Sequence, residues 1–255
     1  IGTDAEAANS NTNPGGTSEW IGTWHTSMLY IDGKSDSNAA TAVDALSALR
    51  QRTFRTRLQV TMGGSEFRLT YSNEYGTKDL QIGEVTIAKG SASDVNVIDT
   101  KTLKNVTFNE AIEKGDVYKA TEYYGDTVYA VRAGHTAVSD PVSFKANDMD
   151  YVTVSTWVTN MKDFSEGFTA GLIGGRTTYL GIAGLGSAVG FSFNHTHTAD
   201  LGSVEVVSPI ELSNSDATGD YNIIPFLTGI DVKRQNSDQY ATVSGDAGDS
   251  VETAV

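Results

Sequence analysis

The residues best suited to chemistry lie near the C-terminal end of the sequence, where an apolar run meets a Gly-Asp-Ser turn. Tyr240 to Ser244 alternates like a strand, and Gly245-Asp-Ala-Gly-Asp-Ser250 follows it directly. A serine presented on such a turn is a common arrangement for a nucleophile, but it needs a base and an oxyanion hole around it. The segment therefore predicts a nucleophile block whose other catalytic groups would come from sequence beyond Val255.

Two alignments of this block are open. Because the strand runs directly into Gly245 and Asp246, strand spacing places Ala247 at the nucleophile position, and we favour this alignment. The literal Gly248-Asp-Ser250 keeps the serine at Ser250 but inserts three residues between strand and turn. A third interpretation treats residues 245–255 as a flexible polar tail, in keeping with their Gly, Ser and Asp content.

The histidines supply no recognisable base for this serine. None of the four has an aspartate three positions earlier, so an Asp-x-x-His pair is absent from His25, His135, His195 and His197. Without a histidine base, a serine hydroxyl near pH 7 stays protonated and is a poor nucleophile. We therefore expect this chain alone to be inactive as a hydrolase.

The composition is that of an acidic globular protein. Of 255 residues, 39% are hydrophobic and 20% charged, and 32 Asp and Glu against 18 Lys and Arg give a net charge of -14. Such a charge repels phosphate backbones and anionic lipids, so no nucleic acid partner is expected. No apolar stretch approaches the length of about 18 residues that a membrane span needs. The lack of cysteine excludes disulfides, thiolate zinc sites and cysteine nucleophiles.

The sequence divides into three predicted parts. Residues 1–19 are polar, with almost no bulky apolar side chain, and predict a flexible tether. We interpret this tether as the segment left after removal of a signal peptide, which predicts a secreted or cell-surface protein of a bacterium. Residues 20–238 predict a β-sandwich domain, and residues 239–255 are either the start of a hydrolase domain or a disordered tail.

From Trp20 onward the apolar residues follow a period of two. Apolar and polar side chains alternate over Arg57 to Met62 and over Glu66 to Tyr71, and the tight Gly63-Gly-Ser65 link between them predicts a hairpin. Similar alternation is found in Leu80 to Ala88, Thr127 to Arg132, Tyr151 to Val158 and Ile223 to Val232. Many short strands separated by turn residues predict an all-β, jelly-roll-like sandwich.

Two segments depart from this alternation. Ala39 to Arg50 has Val43, Leu46 and Leu49 at helical spacing and predicts one short helix. Gly167 to Gly190 is rich in glycine and predicts a long irregular excursion.

Six segments, in the same order along the chain, resemble the amino-terminal region of bacterial SGNH hydrolases, also called GDSL-type hydrolases. They are Trp20-Ile-Gly-Thr-Trp-His-Thr-Ser27, Leu49-Arg-Gln-Arg-Thr-Phe-Arg55, Gly63 to Gly76, Ile82 to Ala88, Ala133-Gly-His-Thr-Ala-Val-Ser-Asp-Pro-Val142 and Phe226 to Val232. The most specific part is Ser72-Asn-Glu-Tyr-Gly76, whereas a Gly-Asp-Ser tripeptide alone is weak evidence.

The resemblance implies the front part of a secreted, lipase-like serine esterase. In this family an all-β domain precedes an α/β domain that removes acyl groups, such as acetyl from carbohydrate. The resemblance places the nucleophile at Ala247 or Ser250, with Gly245 and Asp246 beside it. The implied partners are a catalytic domain in cis, absent from this chain, and a polysaccharide or acyl-ester substrate; no cofactor or metal is expected.

By analogy with the family, we expect the turn Ser72 to Gly76 to meet the catalytic domain. Asn73 in this turn is the predicted binding residue.

An autonomous carbohydrate-binding or cell-surface module is the alternative from a different functional class. Six aromatic residues are candidates to stack on sugar rings: Trp20, Trp24, Tyr30, Tyr123, Tyr124 and Trp157. We expect Trp24 and Trp157 to be buried, which leaves Tyr123 and Tyr124 as the exposed binding pair.

Two patterns resemble metal sites and are better interpreted otherwise. His195 and His197 lie two apart with Asp200 nearby, but no third ligand has suitable spacing, so exposed loop histidines are favoured. Asn214 to Asp220 resembles a calcium loop, yet Pro225 stands where a bidentate glutamate is needed. A solvated acidic turn is the favoured interpretation there.

Overall fold

The computed structural model describes residues 18–32, 53–92, 98–121, 127–164, 167–173, 178–180, 211–213 and 220–235. Within these ranges the chain forms sixteen strands, one α-helix and one 3-10 turn. The strands are β1 (Ser18–His25), β2 (Met28–Asp32), β3 (Thr53–Gln59), β4 (Gly64–Ser72), β5 (Leu80–Gly90), β6 (Ile98–Asn105), β7 (Val117–Thr121), β8 (Thr127–Val131), β9 (Thr136–Val138), β10 (Val142–Ala146), β11 (Tyr151–Val158), β12 (Gly167–Ile173), β13 (Thr178–Leu180), β14 (Glu211–Ser213), β15 (Asp220–Pro225) and β16 (Leu227–Gln235). The helix α1 spans Asn109–Glu113, and the 3-10 turn spans Met161–Asp163.

The strands form three antiparallel sheets. The first has the order β1-β16-β4-β10, with β9 also on β4, and the second has the order β13-β3-β11-β5-β8-β7, with β6 also on β5. The third has the order β14-β15-β12-β2. These sheets confirm the predicted all-β, sandwich-like fold. In the part of the chain that is described, no helix is long and apolar enough to cross a bilayer.

The core lies between the first and second sheets. Leu58 and Val154 from the second sheet and Phe67 and Leu69 from the first belong to one buried apolar cluster. The alternation read from the sequence therefore identified the buried faces of β3, β4 and β11 correctly.

A buried polar contact also crosses the core. The Tyr71 hydroxyl of β4 lies 2.6 Å from Oγ1 of Thr156 in β11. Burial raises the pKa of Tyr71, and this outweighs the opposing effect of the hydrogen bond to Thr156. The phenol therefore stays protonated and links the two sheets.

The predicted hairpin across Gly63 to Ser65 is wrong. β3 pairs with β11 and β13 in the second sheet, whereas β4 pairs with β16, β10 and β9 in the first. The link passes from the second sheet to the first. Two strands that face each other across a core show the same alternation as two neighbours in one sheet, so the pattern could not separate the two arrangements. Gly63 permits the crossing, because a Cβ there would clash with the backbone of Ala146 and Asn147.

The predicted strand Ile223 to Val232 is two strands in different sheets. β15 ends at Pro225 in the third sheet, and β16 begins at Leu227 in the first. Phe226 turns the chain between them with φ 62°, and its ring is fully buried. Its centroid lies 5.7 to 6.4 Å from those of Phe54, Phe164 and Phe168. This aromatic cluster ties the third sheet to the sandwich.

Other predicted features differ in detail. β1 begins at Ser18, two residues before the predicted start of the sandwich, and β12 and β13 fall within the Gly167 to Gly190 segment predicted to be irregular. Trp24 and Trp157 are half-buried rather than buried. The predicted helix at residues 39–50 and the predicted segment at residues 239–255 lie outside the described residues.

Helix α1 is capped by a side chain from a distant loop. The Asp140 carboxylate accepts hydrogen bonds from the backbone N–H of Asn109 at 2.9 Å and of Glu110 at 2.7 Å, and from the Thr107 hydroxyl. Partial burial alone would raise the pKa of Asp140, but these hydrogen bonds outweigh it and hold the pKa below its ordinary value. The motif Ser139-Asp-Pro-Val142 therefore has a structural role at this position.

We expect Asp140→Ala to lower the free energy of unfolding by about 1 to 2 kcal/mol at pH 7, as the loss of a helix cap does. Folding lowers the pKa of this carboxyl, so its stabilisation is present above the unfolded-state pKa of about 3.9 and is lost as the pH falls through the folded-state value. Urea denaturation should show the difference between wild type and variant shrinking below about pH 4. Asp163→Ala, on the exposed 3-10 turn, is the matched control. A difference that does not change in acid would contradict the assigned cause.

Candidate functional site

The predicted turn Ser72 to Gly76 closes β4 at one end of the sandwich, beside the corner at Phe226. The backbone N–H of Ser72 donates to the Phe226 carbonyl at 2.8 Å. The backbone N–H of Tyr75 donates to Oγ1 of Thr169 in β12 at 3.1 Å. Glu74 and Tyr75 point their side chains into solvent, so a fixed backbone presents two exposed side chains.

Asn73 is the residue that fixes this turn. Its side chain is fully buried, and Nδ2 donates to the carbonyls of Lys78 at 2.8 Å and Val131 at 3.2 Å. Its backbone N–H donates to the His135 carbonyl at 2.9 Å, so Asn73 joins the β4–β5 loop to the β8–β9 loop. Because no part of the side chain faces solvent, Asn73 acts here as a positioning residue. Its direct contact with a ligand stays a prediction.

Two carboxylates hold the loop that lies next to the turn. Asp79 accepts hydrogen bonds from the Tyr118 hydroxyl at 2.7 Å and from the backbone N–H of Ala133 at 2.9 Å. The hydrogen bond to Asp79 is the main reason that the pKa of Tyr118 is raised. Asp116 lies 2.9 Å from Nδ1 of His135, and both side chains are partly exposed, at 32% and 43%. This end of the sandwich therefore offers a histidine–aspartate pair near the turn.

A second histidine–aspartate pair lies on the outer face of the first sheet. Nε2 of His25 is 2.9 Å from Oδ1 of Asp231, and Nε of Arg68 is 2.8 Å from Oδ2. The imidazole lies over Gly22 and Gly229, where an added Cβ would come within 2.6 and 2.7 Å of it. The Asp-x-x-His spacing does not detect this pair, because Asp231 lies 206 residues from His25 in the sequence. The two residues become neighbours through the pairing of β1 with β16.

Neither pair forms a catalytic triad among the described residues. His25 and His135 bond to aspartate there, and neither imidazole bonds to a serine or threonine hydroxyl. A triad needs such a hydroxyl as its nucleophile. In the described ranges there is also no group of three or more side chains suited to holding a metal ion.

An open cleft of about 720 Å³ lies at the opposite end of the sandwich. Its charged and amide side chains are Glu66, Lys145, Asn147, Asp148, Lys233 and Arg234. Arg234 lies 3.2 Å from Asp148, and Lys233 lies 3.3 Å from Glu66. The volume is within the range of ligand pockets, of about 300 to 1,000 Å³, but the lining is polar rather than mainly apolar.

The outer face of the second sheet carries a buried arginine that sequence reasoning did not single out. Arg55 has no exposed surface, and its Nε donates to Oγ of Ser155 at 2.7 Å. Loss of solvation lowers the pKa of Arg55 to about 9, so the guanidinium remains charged at pH 7. Thr86 and Thr153 on the same face are buried as well, and Oγ1 of Thr153 has no hydrogen-bond partner. Because these side chains are covered, this part of the face offers no polar group to a ligand in solution.

Most of the predicted site residues lie outside the described residues. This applies to the nucleophile block with Gly245, Asp246, Ala247 and Ser250, to Tyr123 and Tyr124, and to His195, His197 and Asp200. Of the calcium-like pattern, Asp220 is described, and it lies in β15. Two other tyrosines, Tyr30 and Tyr75, are 40% and 44% exposed.

Comparison of the sequence with protein-family models and with curated proteins found no match.

Proposed function

We propose that this chain is the N-terminal portion of a secreted SGNH-type serine esterase that acts on acylated substrates such as acetylated polysaccharide. In this proposal the sandwich supports a catalytic domain that follows it in the same polypeptide. Two facts support the proposal: the ordered motif resemblance, and an all-β fold of the kind that this resemblance implies.

The positions of Ser18 and Gln235, where the described sandwich begins and ends, carry the proposal. Ser18 at the start of β1 pairs with Gln235 at the end of β16, so the chain enters and leaves the sandwich at one end. Lys233 and Arg234 of β16 line the cleft at that same end. Gly245 follows Gln235 by ten positions. A domain built on the Gly245 to Ser250 block would therefore follow the strand that ends at the cleft.

The lining of the cleft suits a neighbouring domain of the same chain. The cleft presents three cations and two carboxylates, and its Lys145 is exposed. Interfaces between domains of one chain are more polar than permanent subunit interfaces. Charged side chains of both signs can make complementary contacts with such a surface and fix its orientation.

The proposed chemistry is acyl transfer through serine. The serine oxygen attacks the ester carbonyl, the alcohol leaves with a proton, and water then hydrolyses the acyl-enzyme. The described part of this chain holds no hydroxyl that is hydrogen-bonded to His25 or His135. In this proposal the base is a histidine of the domain that follows.

We expect this chain to show no turnover of 4-nitrophenyl acetate or acetylated xylan. A longer chain, extended along its coding frame to an Asp-x-x-His pair, is expected to hydrolyse both once it carries Ala247→Ser, because the favoured alignment has alanine at the nucleophile position. Replacing the histidine of that pair with alanine should lower kcat by a factor of at least about 1,000, as loss of a triad member does. The matched control is His25→Ala in the longer chain, which removes the histidine of the β1–β16 pair and is not placed in the catalytic machinery.

Two results would overturn the proposal. The first is a stop codon directly after Val255, which would favour the autonomous binding module. The second is turnover by the present chain that Ser250→Ala abolishes, since the chain would then be catalytically complete.

A further inference from the structure

Two exposed tyrosines flank one buried threonine near the turn end of the sandwich. Tyr30 of β2 is the cross-strand neighbour of Thr169 in β12, so their side chains stand on the same face of the third sheet. The Thr169 hydroxyl accepts the backbone N–H of Tyr75. Thr169 is fully buried, whereas Tyr30 is 40% exposed and Tyr75 is 44% exposed. The strand pairing therefore places Tyr30 beside Thr169, and the backbone hydrogen bond places Tyr75 beside the same residue.

The backbone that carries Tyr75 is held in place on both sides. Ser72 donates to the Phe226 carbonyl, and Gly76 donates to the Asn73 carbonyl at 3.0 Å. The buried Asn73 side chain adds one bond within its own loop, to Lys78, and one to Val131 at the end of β8. Tyrosine has only two side-chain torsions, so a tyrosine on a fixed backbone loses little entropy when it binds a ligand. These features are typical of a binding platform.

Polar groups suited to sugar hydroxyls lie close to this platform. Glu74 is exposed beside Tyr75, and the loop of His135 is bonded to Asn73 through the backbone. The His135–Asp116 pair is partly exposed and offers both a donor and an acceptor. Aromatic faces with a few hydrogen-bonding groups beside them match the alternating C–H and O–H surfaces of a sugar ring.

The direction of β16 places the end of this strand at the cleft, away from the platform. Leu227 pairs with Tyr71 at the turn end, and Gln235 pairs with Ser18 at the other end. Eight residue steps of about 3.3 Å separate these ends by about 26 Å. β16 therefore ends beside the cleft, at the opposite end of the sandwich from Tyr75.

We propose that Tyr30 and Tyr75 form a carbohydrate-binding platform that holds the polysaccharide carrying the acyl groups. The inference rests on the proposed function for the identity of this ligand. It places substrate capture at the end of the sandwich opposite to Ser18 and Gln235. The sequence expectation had placed this role on Tyr123 and Tyr124.

The test is affinity gel electrophoresis of this chain in gels containing xylan, acetylated xylan, pectin, soluble chitin or peptidoglycan fragments. At least one of these polysaccharides is expected to retard the wild-type chain. Tyr30→Ala and Tyr75→Ala should each weaken the affinity about tenfold, which corresponds to the loss of one aromatic contact. Tyr75→Phe keeps the stacking ring and should stay within about threefold of wild type. Met149→Ala, which removes an exposed apolar side chain at the opposite end, is the matched control.

Three results would overturn the platform. The first is that none of the five polysaccharides retards the wild-type chain. The second is that the two alanine variants are retarded as strongly as the wild type. The third is that the sandwich binds a separately produced catalytic domain more tightly than any polysaccharide, and that Tyr75→Ala abolishes this binding. Circular dichroism melting of each variant separates loss of binding from loss of folding. Because binding is measured without turnover, failure of the esterase assay would leave the platform standing as part of an autonomous module.

Discussion

Replacing Phe226 with alanine is expected to lower the free energy of unfolding by about 3 to 5 kcal/mol, the range for removing a buried phenylalanine ring. The ring is fully buried and contacts Phe54, Phe164 and Phe168. Phe54 belongs to the second sheet and Phe168 to the third, so the cavity would form where the third sheet joins the sandwich. Neighbours anchored in different sheets cannot easily close such a cavity, which places the expected cost at the upper end of the range.

The backbone of Phe226 makes a second variant informative. Its φ of 62° lies in the left-handed region, which costs a residue with a Cβ about 1 to 2 kcal/mol. Glycine avoids this cost, although it is normally less stable than alanine by about 0.5 to 1 kcal/mol. We therefore expect Phe226→Gly to be at least as stable as Phe226→Ala, which is the reverse of the usual order.

Urea denaturation followed by far-UV circular dichroism measures both effects. Met149→Ala, at a position 55% exposed, should stay within about 0.5 kcal/mol of wild type. A loss below about 1 kcal/mol in Phe226→Ala would contradict the tight packing of the aromatic cluster. A glycine variant clearly less stable than the alanine variant would contradict the left-handed corner.

The strand faces of this fold could be predicted from the sequence, because burial on one face leaves a period of two. Residues 57–62 and 66–71 show this pattern, and their apolar side chains are buried as expected. The predicted strand Tyr151 to Val158 has the same bounds in the structure. Local alternation is thus sufficient to identify which side chains enter the core.

The pairing of strands could not be predicted, because alternation does not encode the neighbour of a strand. The Gly63 to Ser65 link joins two sheets, and Phe226 separates two strands within one apolar run. A left-handed phenylalanine is uncommon, since tertiary packing must offset its local cost. Nothing in the local pattern therefore marked Phe226 as a corner.

The candidate site shows the same limit. The resemblance directed attention to Ser72 to Gly76, and the structure gives Asn73 a clear role there as a buried link between loops. The His25–Asp231 pair and the Tyr30–Thr169–Tyr75 arrangement bring together residues distant in the sequence. Such groups become neighbours only through the sheet register, so spacing rules that work within one segment cannot find them.

Asn73 and Gly76 are expected to show strong energetic coupling. Asn73→Ala removes two hydrogen bonds and leaves the carbonyls of Lys78 and Val131 without them, for an expected loss of about 2 to 4 kcal/mol. In Gly76→Ala the new Cβ would collide with Oδ1 of Asn73, an atom that is buried and makes no hydrogen bond. This overpacking should cost about 1 to 3 kcal/mol, because the hydrogen bonds of Nδ2 prevent the amide from moving away.

The double variant separates this explanation from a general weakness of the loop. Once Asn73 is alanine, the atom that the Cβ would strike is gone, so Gly76→Ala should cost at least about 1 kcal/mol less than in the wild type. Urea denaturation of the four proteins gives the coupling energy, and Thr77→Ala, at an exposed position in the same loop, is the matched control. Equal costs of Gly76→Ala in both backgrounds would show that Asn73 does not enforce the glycine. Coupling of the expected size would mean that the Ser72 to Gly76 turn is defined by one buried amide and the space that it requires.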